Sequence, residues 1–308
     1  MRGAHRGSSM STSDLPPIRK WEKVRAPVGA VHIIHGLAEH AERYDELAGA
    51  MNQAHLIVWA HHQRGHGRNP IPGIKGHFAD KHGWRALIDD AWAVSKNLLD
   101  TWRLPVVMFA HSMGSFVGQG VLAEHGAAFR AAAFSGTNGP PPISEHLIRN
   151  LAKLQVAVLK PRNPGLWLQK IVIEDTYNAA FGKNAPPNTW LSRDPDEVEK
   201  YTHDKECGFP LTSQAWLDML NGRADQSSVD FFRKIPPALP IHIIAGTADA
   251  VGEHAKGVRR LLKVLEQAQL SNVTSKFYDD ARHELVHETN RKKVIEELVD
   301  WIVAAVRR

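Results

Sequence analysis

Short apolar runs alternate with longer amphipathic segments along most of the chain. The run at residues 28–35 has strand length, and five similar runs follow at 54–60, 105–110, 131–134, 240–245 and 275–278. Runs of this length, rich in Val and Ile, are typical of strands buried on both faces of a parallel sheet. Alternating strands and helices predict a doubly wound α/β fold.

Two of the intervening segments have clear helical periodicity. In residues 82–102, one face at three- and four-residue spacing carries Trp84, Leu87, Ile88, Ala91, Ser95, Leu98 and Trp102. A second helix is predicted from about Thr289 to the C-terminus, with Val294, Leu298 and Ile302 on its apolar face. Each helix would pack against the sheet.

The alternation stops between about Gly136 and Pro237, a stretch rich in proline. We expect a mainly helical cap at 136–237, inserted into an α/β core formed by 14–135 and 238–308. It would lie over one end of the sheet. Residues 1–13 are rich in Gly, Ser and Arg, so we expect them to be disordered, with 1–9 a remnant of an expression vector.

Composition narrows the class of protein. Hydrophobic residues make up 43% and charged residues 23%, which is typical of a soluble globular protein. No apolar run approaches the roughly 20 residues of a membrane helix. The net charge of +5 is scattered rather than clustered, which argues against nucleic-acid binding. The single Cys207 forms no internal disulfide and fits a reducing compartment, so we expect a cytoplasmic protein.

One strand-to-helix junction has the pattern of a nucleophile elbow. The run 105–110 leads into Ala110-His111-Ser112-Met113-Gly114, and a helical pattern follows from Ser115. Small residues two positions before and after a serine allow a sharp turn that holds its hydroxyl clear of the sheet. Ser112 is therefore the candidate nucleophile.

A serine nucleophile needs a base, and the base needs a carboxylate that orients it. Asp249 follows the run 240–245, and His283 follows the run 275–278. The order Ser, acid, His is that of α/β-hydrolases. Asp279 and Asp280 are alternative acids, but they lie within four residues of His283 and would have to fold back sharply.

Two backbone amides are candidates for an oxyanion hole. The first long strand ends at His35-Gly36, where such enzymes place one donor, and Leu37 is its best candidate. The other donor is the residue after the nucleophile, Met113.

Four motifs together resemble one branch of the α/β-hydrolases. They are His35-Gly-Leu-Ala-Glu-His40 with Arg43-Tyr44, Arg64-Gly-His-Gly67, His111-Ser-Met-Gly114 and Arg282-His-Glu-Leu285. The branch is that of the monoacylglycerol lipase and lysophospholipase-like enzymes, often labelled serine aminopeptidases. The resemblance implies a triad of Ser112, Asp249 and His283, and oxyanion donors at Leu37 and Met113. It also implies eight mostly parallel strands, the first two near 18–25. Ala110, Ser115 and His62 depart from the family pattern.

Other functions fit the sequence less well. His61, His62 and His66 cluster as metal ligands do, but Arg64 stands among them and no Asp does, so we expect no metal and no cofactor. A binding protein without activity would lack a triad member, and none is missing. Ester hydrolysis through an acyl-enzyme is favoured, with a peptidase or amidase of the same fold as the alternative.

The cap sequence suggests where the acyl chain binds. Leu147, Ile148, Leu151, Leu154 and Val158 form an apolar face too large for a thin lid to bury. We expect Leu151 and Leu154 to line an acyl pocket for short-to-medium chains. The cap is also expected to contact lipid surfaces peripherally, while the oligomeric state is not predicted.

Overall fold

A computed structural model describes residues 15–69, 73–142 and 145–308. The segment 1–13, expected to be disordered, lies outside the described residues. The described part of the chain contains one seven-stranded sheet in the order β1-β3-β2-β4-β5-β6-β7. The strands are β1 (Ile18–Trp21), β2 (Gly29–Ile34), β3 (Leu56–His61), β4 (Val106–His111), β5 (Ala131–Ser135), β6 (Ile241–Gly246) and β7 (Val273–Tyr278). β1 pairs antiparallel with β3, and the other pairs are parallel.

The predicted α/β-hydrolase fold is confirmed, but the expected pair of strands near 18–25 is not. Only β1 forms there. Ala26 takes a left-handed conformation with φ of 48°, and Pro27 has no N–H to donate to a strand ladder. These two residues turn the chain toward β2 before a second strand can form.

Helices cover both faces of the sheet because its central strands are apolar on both sides. Every residue of β2, β3, β4 and β5 is buried. α1 (Asp45–Gln53) and α10 (Arg291–Arg307) pack on one face. α2 (Gly83–Trp102), α3 (Met113–His125) and α9 (Lys256–Gln267) pack on the other. β7 differs from the expected doubly buried strand: it lies at the sheet edge and exposes Ser275 and Lys276.

The residues between β5 and β6, which we call the insertion, are mostly helical where described. Its helices are α4 (Glu145–Leu159), α5 (Leu166–Leu168), α6 (Pro195–His203), α7 (Ser213–Asp225) and α8 (Val229–Phe232). α5 continues into a π-helical segment, Gln169–Asn178. The limits of a separate cap at 136–237 stay a prediction. Among the described residues, no helix combines the length and apolar character needed to cross a bilayer.

Candidate active site

Ser112 lies at a tight turn between β4 and α3. Its φ of 51° and ψ of −124° are unusual for a residue with a side chain, and strain of this kind persists only where the surroundings enforce it. The Ser112 N–H donates to the carbonyl of Ser135 at the end of β5 (2.9 Å). A Cβ on Gly114 would lie 2.3 Å from the carbonyl oxygens of Ile34 and His35, so only glycine fits there.

The structure brings Ser112, His283 and Asp249 into one hydrogen-bonded chain. The Ser112 hydroxyl donates to Nε2 of His283 (2.8 Å), and Nδ1 of His283 donates to Asp249, 3.1 Å from either carboxylate oxygen. His283 and Asp249 are 2% and 1% exposed. The alternative acids Asp279 and Asp280 are exposed, and the N–H of Asp280 donates to Thr247.

The loop after β6 holds the Asp249 carboxylate toward the imidazole. Oδ1 of Asp249 accepts the N–H of Val251 (2.9 Å), and the Asp249 carbonyl accepts the N–H of His254 (2.8 Å). Nδ2 of Asn138, which follows β5, donates to the Val251 carbonyl (2.7 Å). The acid is therefore fixed by its own loop and by the neighbouring strand.

Two opposing effects act on the His283 imidazole. Burial alone lowers its pKa, but the adjacent Asp249 carboxylate favours the protonated form, with smaller contributions from Glu284 and Glu39. The net result is a His283 pKa above its usual value of 6.5. The neighbouring His111, 4.8 Å away between ring centroids, is neutral because burial lowers its pKa to about 3.

Two backbone amides lie beside Ser112, that of Leu37 in the loop after β2 and that of Met113 at the start of α3. Leu37 and Met113 both line the cavity that contains Ser112, and neither N–H donates a hydrogen bond within the described residues. A Cβ on Gly36 would lie 3.1 Å from the Cβ of Ser112, so glycine allows this close approach. Met113 is the first residue of α3, where backbone N–H groups have no partner inside the helix.

Residues of the motifs at 35–44 and 282–285, to which the sequence assigned no role, connect this loop to His283. Glu39 accepts the N–H of Gly36 and the hydroxyl of Tyr44 (2.9 Å). Arg43 pairs with Glu39 (3.2 Å) and with Glu284 (2.5 Å), the residue after His283. All three charged side chains are at most 8% exposed. The sequence signal was present in the motif at 35–44, but only the fold shows that Glu284 shares Arg43.

Residues of the insertion cover His283 and form part of the cavity wall over Ser112. The carbonyl of Trp190 accepts the His283 N–H (3.5 Å), and the indole lies 5.1 Å from the imidazole between ring centroids. The cavity over Ser112 is lined on its apolar side by Phe116 of α3, Val172 and Ile173 of the π-helical segment, and Trp216 and Met219 of α7.

The expected acyl-pocket residues Leu151 and Leu154 do not line this cavity. Leu154 is 54% exposed, and Leu151 is partly buried against the core. The helical pattern correctly marked an apolar face of α4, but Ile148 and Leu151 of that face are only partly buried, and the fully buried residues of the helix are Ala152 and Gln155. The apolar wall comes instead from α7 and from the π-helical segment.

Each of the three histidines considered as metal ligands has a different partner on one of its ring nitrogens. Nδ1 of His61 bonds Nε2 of His32 (2.9 Å), and Nδ1 of His66 donates to the Arg64 carbonyl (2.8 Å). Nε2 of His62 lies 3.5 Å from Glu42. These side chains serve the packing of β3 and the loop after it.

Comparison with known proteins identifies the family of this chain. The family model described as serine aminopeptidase, S33, matches residues 25–290. Human monoglyceride lipase is 28% identical over 294 residues, covering 92% of this chain and 85% of that protein. Monoacylglycerol lipase from Mycolicibacterium smegmatis is 27% identical over 286 residues, covering 92% and 91%.

A solved structure of a thermostable carboxyl esterase from Bacillus coagulans, in complex with glycerol, superposes with a TM-score of 0.85. It is 26% identical, and the match covers 94% of each chain. These findings confirm the predicted resemblance to the monoacylglycerol lipase-like α/β-hydrolases. The chain belongs to the serine aminopeptidase S33 family of α/β-hydrolases.

Proposed function

We propose that this protein hydrolyses carboxylic esters of the monoacylglycerol type, with Ser112 as nucleophile, His283 as general base and Asp249 as the orienting acid. The observation that carries the proposal is the continuous hydrogen-bonded chain from Ser112 through His283 to Asp249. Relatives named as monoglyceride lipases, and the carboxyl esterase structure, support the ester as substrate class.

The proposed reaction has two halves. As Oγ of Ser112 attacks the ester carbonyl, Nε2 of His283 accepts its proton, and the N–H groups of Leu37 and Met113 stabilise the oxyanion. The imidazolium then donates the proton to the departing alcohol, which leaves an acyl-enzyme. Water attacks this acyl-enzyme with the same base, and the acid is released as Ser112 regains its proton.

An aminopeptidase is the alternative suggested by the family label. Binding a substrate α-ammonium requires a carboxylate that is free to pair with it. Glu39 and Glu284 line the cavity, but Arg43 pairs with both of them. The site therefore favours a neutral ester.

A hydrolysis panel tests the proposal: p-nitrophenyl esters of increasing length, a monoacylglycerol, a lysophospholipid and an aminoacyl anilide, each with and without EDTA. We expect ester hydrolysis that EDTA leaves unchanged and that Ser112→Ala reduces on the order of 10⁶-fold in kcat. A fluorophosphonate should label Ser112 alone. Stoichiometric labelling of another serine, or cleavage of the anilide alone, would reject the proposal.

We further propose that α4 docks on an anionic lipid surface. Leu147, Leu154 and Val158 are 73%, 54% and 58% exposed and lie on one stripe of α4. The segment 146–173, which begins on α4, contains five basic and no acidic residues. An exposed apolar stripe in a basic segment suits the boundary between anionic lipid headgroups and acyl chains.

Co-sedimentation with vesicles tests this surface. We expect binding to phosphatidylglycerol vesicles that weakens with salt, and little binding to phosphatidylcholine alone. The double variant Leu147→Asn, Val158→Asn should lose binding. Val28→Asn, an exposed apolar position away from α4, is the matched control. Equal binding by both variants would reject the docking site. The cytoplasmic location also stays a prediction, which cell fractionation would test.

A further inference from the structure

An arginine with little solvent exposure interrupts the apolar wall of the cavity. Trp216, Met219 and Arg223 are spaced by three and four residues, so they lie on one face of α7, and all three line the cavity over Ser112. The Arg223 side chain is only 11% exposed. A cation in such a wall has lost most of its hydration and needs hydrogen-bond acceptors in the protein or in the substrate.

The contacts of Arg223 leave one donor unused. Nη1 lies 3.2 Å from Oε2 of Glu145 at the start of α4, and the guanidinium carbon lies 4.7 Å above the centroid of Phe116. Nη2 is buried and has no acceptor within the described part of the chain. The ion pair and the ring therefore hold the guanidinium in place, while a free N–H remains beside the cavity.

We propose that Arg223 binds an oxygen atom on the acyl chain, and that the enzyme prefers esters of hydroxylated fatty acids to unsubstituted ones. This inference rests on the proposed ester-hydrolase function. Arg223 stacks over Phe116 and shares one face of α7 with Trp216 and Met219, so it lies among the apolar residues of the wall to which we assign the acyl chain. The oxygen that Arg223 meets thus belongs to the acyl group.

The ion pair with Glu145 selects a neutral oxygen. Glu145 already balances the charge of Arg223, and its own side chain is only 13% exposed. A carboxylate on the substrate would bring a second anion close to Glu145 in a region of low dielectric constant, where like charges repel strongly. A hydroxyl accepts the free N–H without that penalty.

The position of Phe116 indicates where along the substrate's acyl chain the hydroxyl should lie. Phe116 follows Ser112 by four residues, which corresponds to roughly 6 Å along a helix axis. Because Arg223 stacks over Phe116 rather than over Ser112, the hydroxyl should lie several carbons from the ester carbonyl and not on the adjacent carbon.

The test compares p-nitrophenyl decanoate with its hydroxydecanoate isomers, from the 2-hydroxy to the 10-hydroxy ester, and with the half-ester of decanedioic acid. The readout is the ratio of kcat/KM for each substrate to that for decanoate. We expect a ratio of about ten for at least one mid-chain isomer, as a hydrogen bond to a charged group would give. The 2-hydroxy ester and the half-ester should show no such gain.

Arg223→Met should bring the mid-chain ratio close to one. Arg233→Met is the matched control, since Arg233 is exposed, pairs with Asp230 and does not line the cavity; it should leave the ratio unchanged. If Arg223→Met fails to fold, Arg223→Lys serves, because an ammonium that pairs with Glu145 cannot also supply the second guanidinium nitrogen. Its ratio should fall as well.

The outcomes separate this inference from the proposed function. Rapid hydrolysis of decanoate with ratios near one for every isomer would overturn the role of Arg223 and leave the ester hydrolase intact. A preference for the half-ester, or a mid-chain preference that Arg223→Lys and Arg223→Met both retain, would also overturn it. Absence of hydrolysis of every ester would overturn the proposed function and this inference together.

Discussion

Arg43 and Glu284, 241 residues apart in sequence, form a buried ion pair of 2.5 Å that links the loop after β2 to the loop bearing His283. Glu39 holds the other side of the same guanidinium (3.2 Å) and accepts the N–H of Gly36 beside the candidate oxyanion amides. One cation thus sets the spacing between the oxyanion loop and the general base.

Replacing Arg43 should destabilise the protein strongly. Arg43→Met leaves Glu39 and Glu284 buried without a cation, and breaking a buried pair costs about 3–5 kcal/mol of unfolding free energy. Arg19→Met is the control, because Arg19 and Asp45 are 45% and 53% exposed and such a pair contributes about 0–1 kcal/mol. Urea unfolding at pH 7 measures both. Equal midpoints for the two variants would contradict the structural role of Arg43.

The rate of ester hydrolysis should rise with pH as His283 loses its proton, since only the neutral imidazole accepts the proton of Ser112. Because the Asp249 carboxylate raises the pKa of His283 above 6.5, the midpoint of kcat/KM should lie above that value. Asp249→Asn should reduce kcat by on the order of 10⁴-fold, as loss of the orienting carboxylate does in other triads. Asp280→Asn is the exposed control. The assignment of the acid fails if Asp280→Asn is the damaging change.

Buried neutral histidines should make the fold labile to acid. Burial lowers the pKa of His32 to about 3, of His66 to about 4 and of His111 to about 3. Below pH 6.5 the unfolded chain binds protons that the folded protein does not, so stability falls as pH decreases from 6.5 toward 4. Each such histidine contributes up to about 1.4 kcal/mol per pH unit in this range.

Urea midpoints at pH 7, 6 and 5 measure this effect. His32→Gln should reduce the pH dependence, because the amide can still bond Ser95 and does not titrate. His203→Gln, at an exposed position, should leave the pH dependence unchanged. A midpoint that stays constant from pH 7 to 5 would show that these histidines are not held neutral.

The efficiency of hydrolysis should increase with acyl length up to roughly six to ten carbons and then level. Each buried CH₂ contributes about 0.8 kcal/mol, a little under fourfold in kcat/KM. Met219→Asn should flatten this increase, because Met219 lines the cavity, whereas Leu154→Asn should not, because Leu154 is 54% exposed. A preference for acetate that declines steadily with length would exclude an acyl pocket.

Local sequence was sufficient for the elements that carry the site. The apolar runs predicted β2 to β6 to within two residues, because strands buried on both faces have an unmistakable composition. Ser112, Asp249 and His283 each follow a strand, and the carboxyl ends of parallel strands meet at one edge of the sheet. The sequence alone therefore predicted that these three side chains lie close together.

Tertiary structure alone decided which side chains surround these three. The periodicity of α4 marked an apolar face correctly, but not that Leu147, Leu154 and Val158 on it are exposed while α7 and the π-helical segment form the cavity wall. Likewise, no local pattern reveals that Glu284 shares Arg43 with Glu39, or that Arg223 meets Glu145. Periodicity indicates that a helix face is apolar. Which part of the protein covers that face depends on how helices distant in sequence pack together, and this packing is determined by the whole chain.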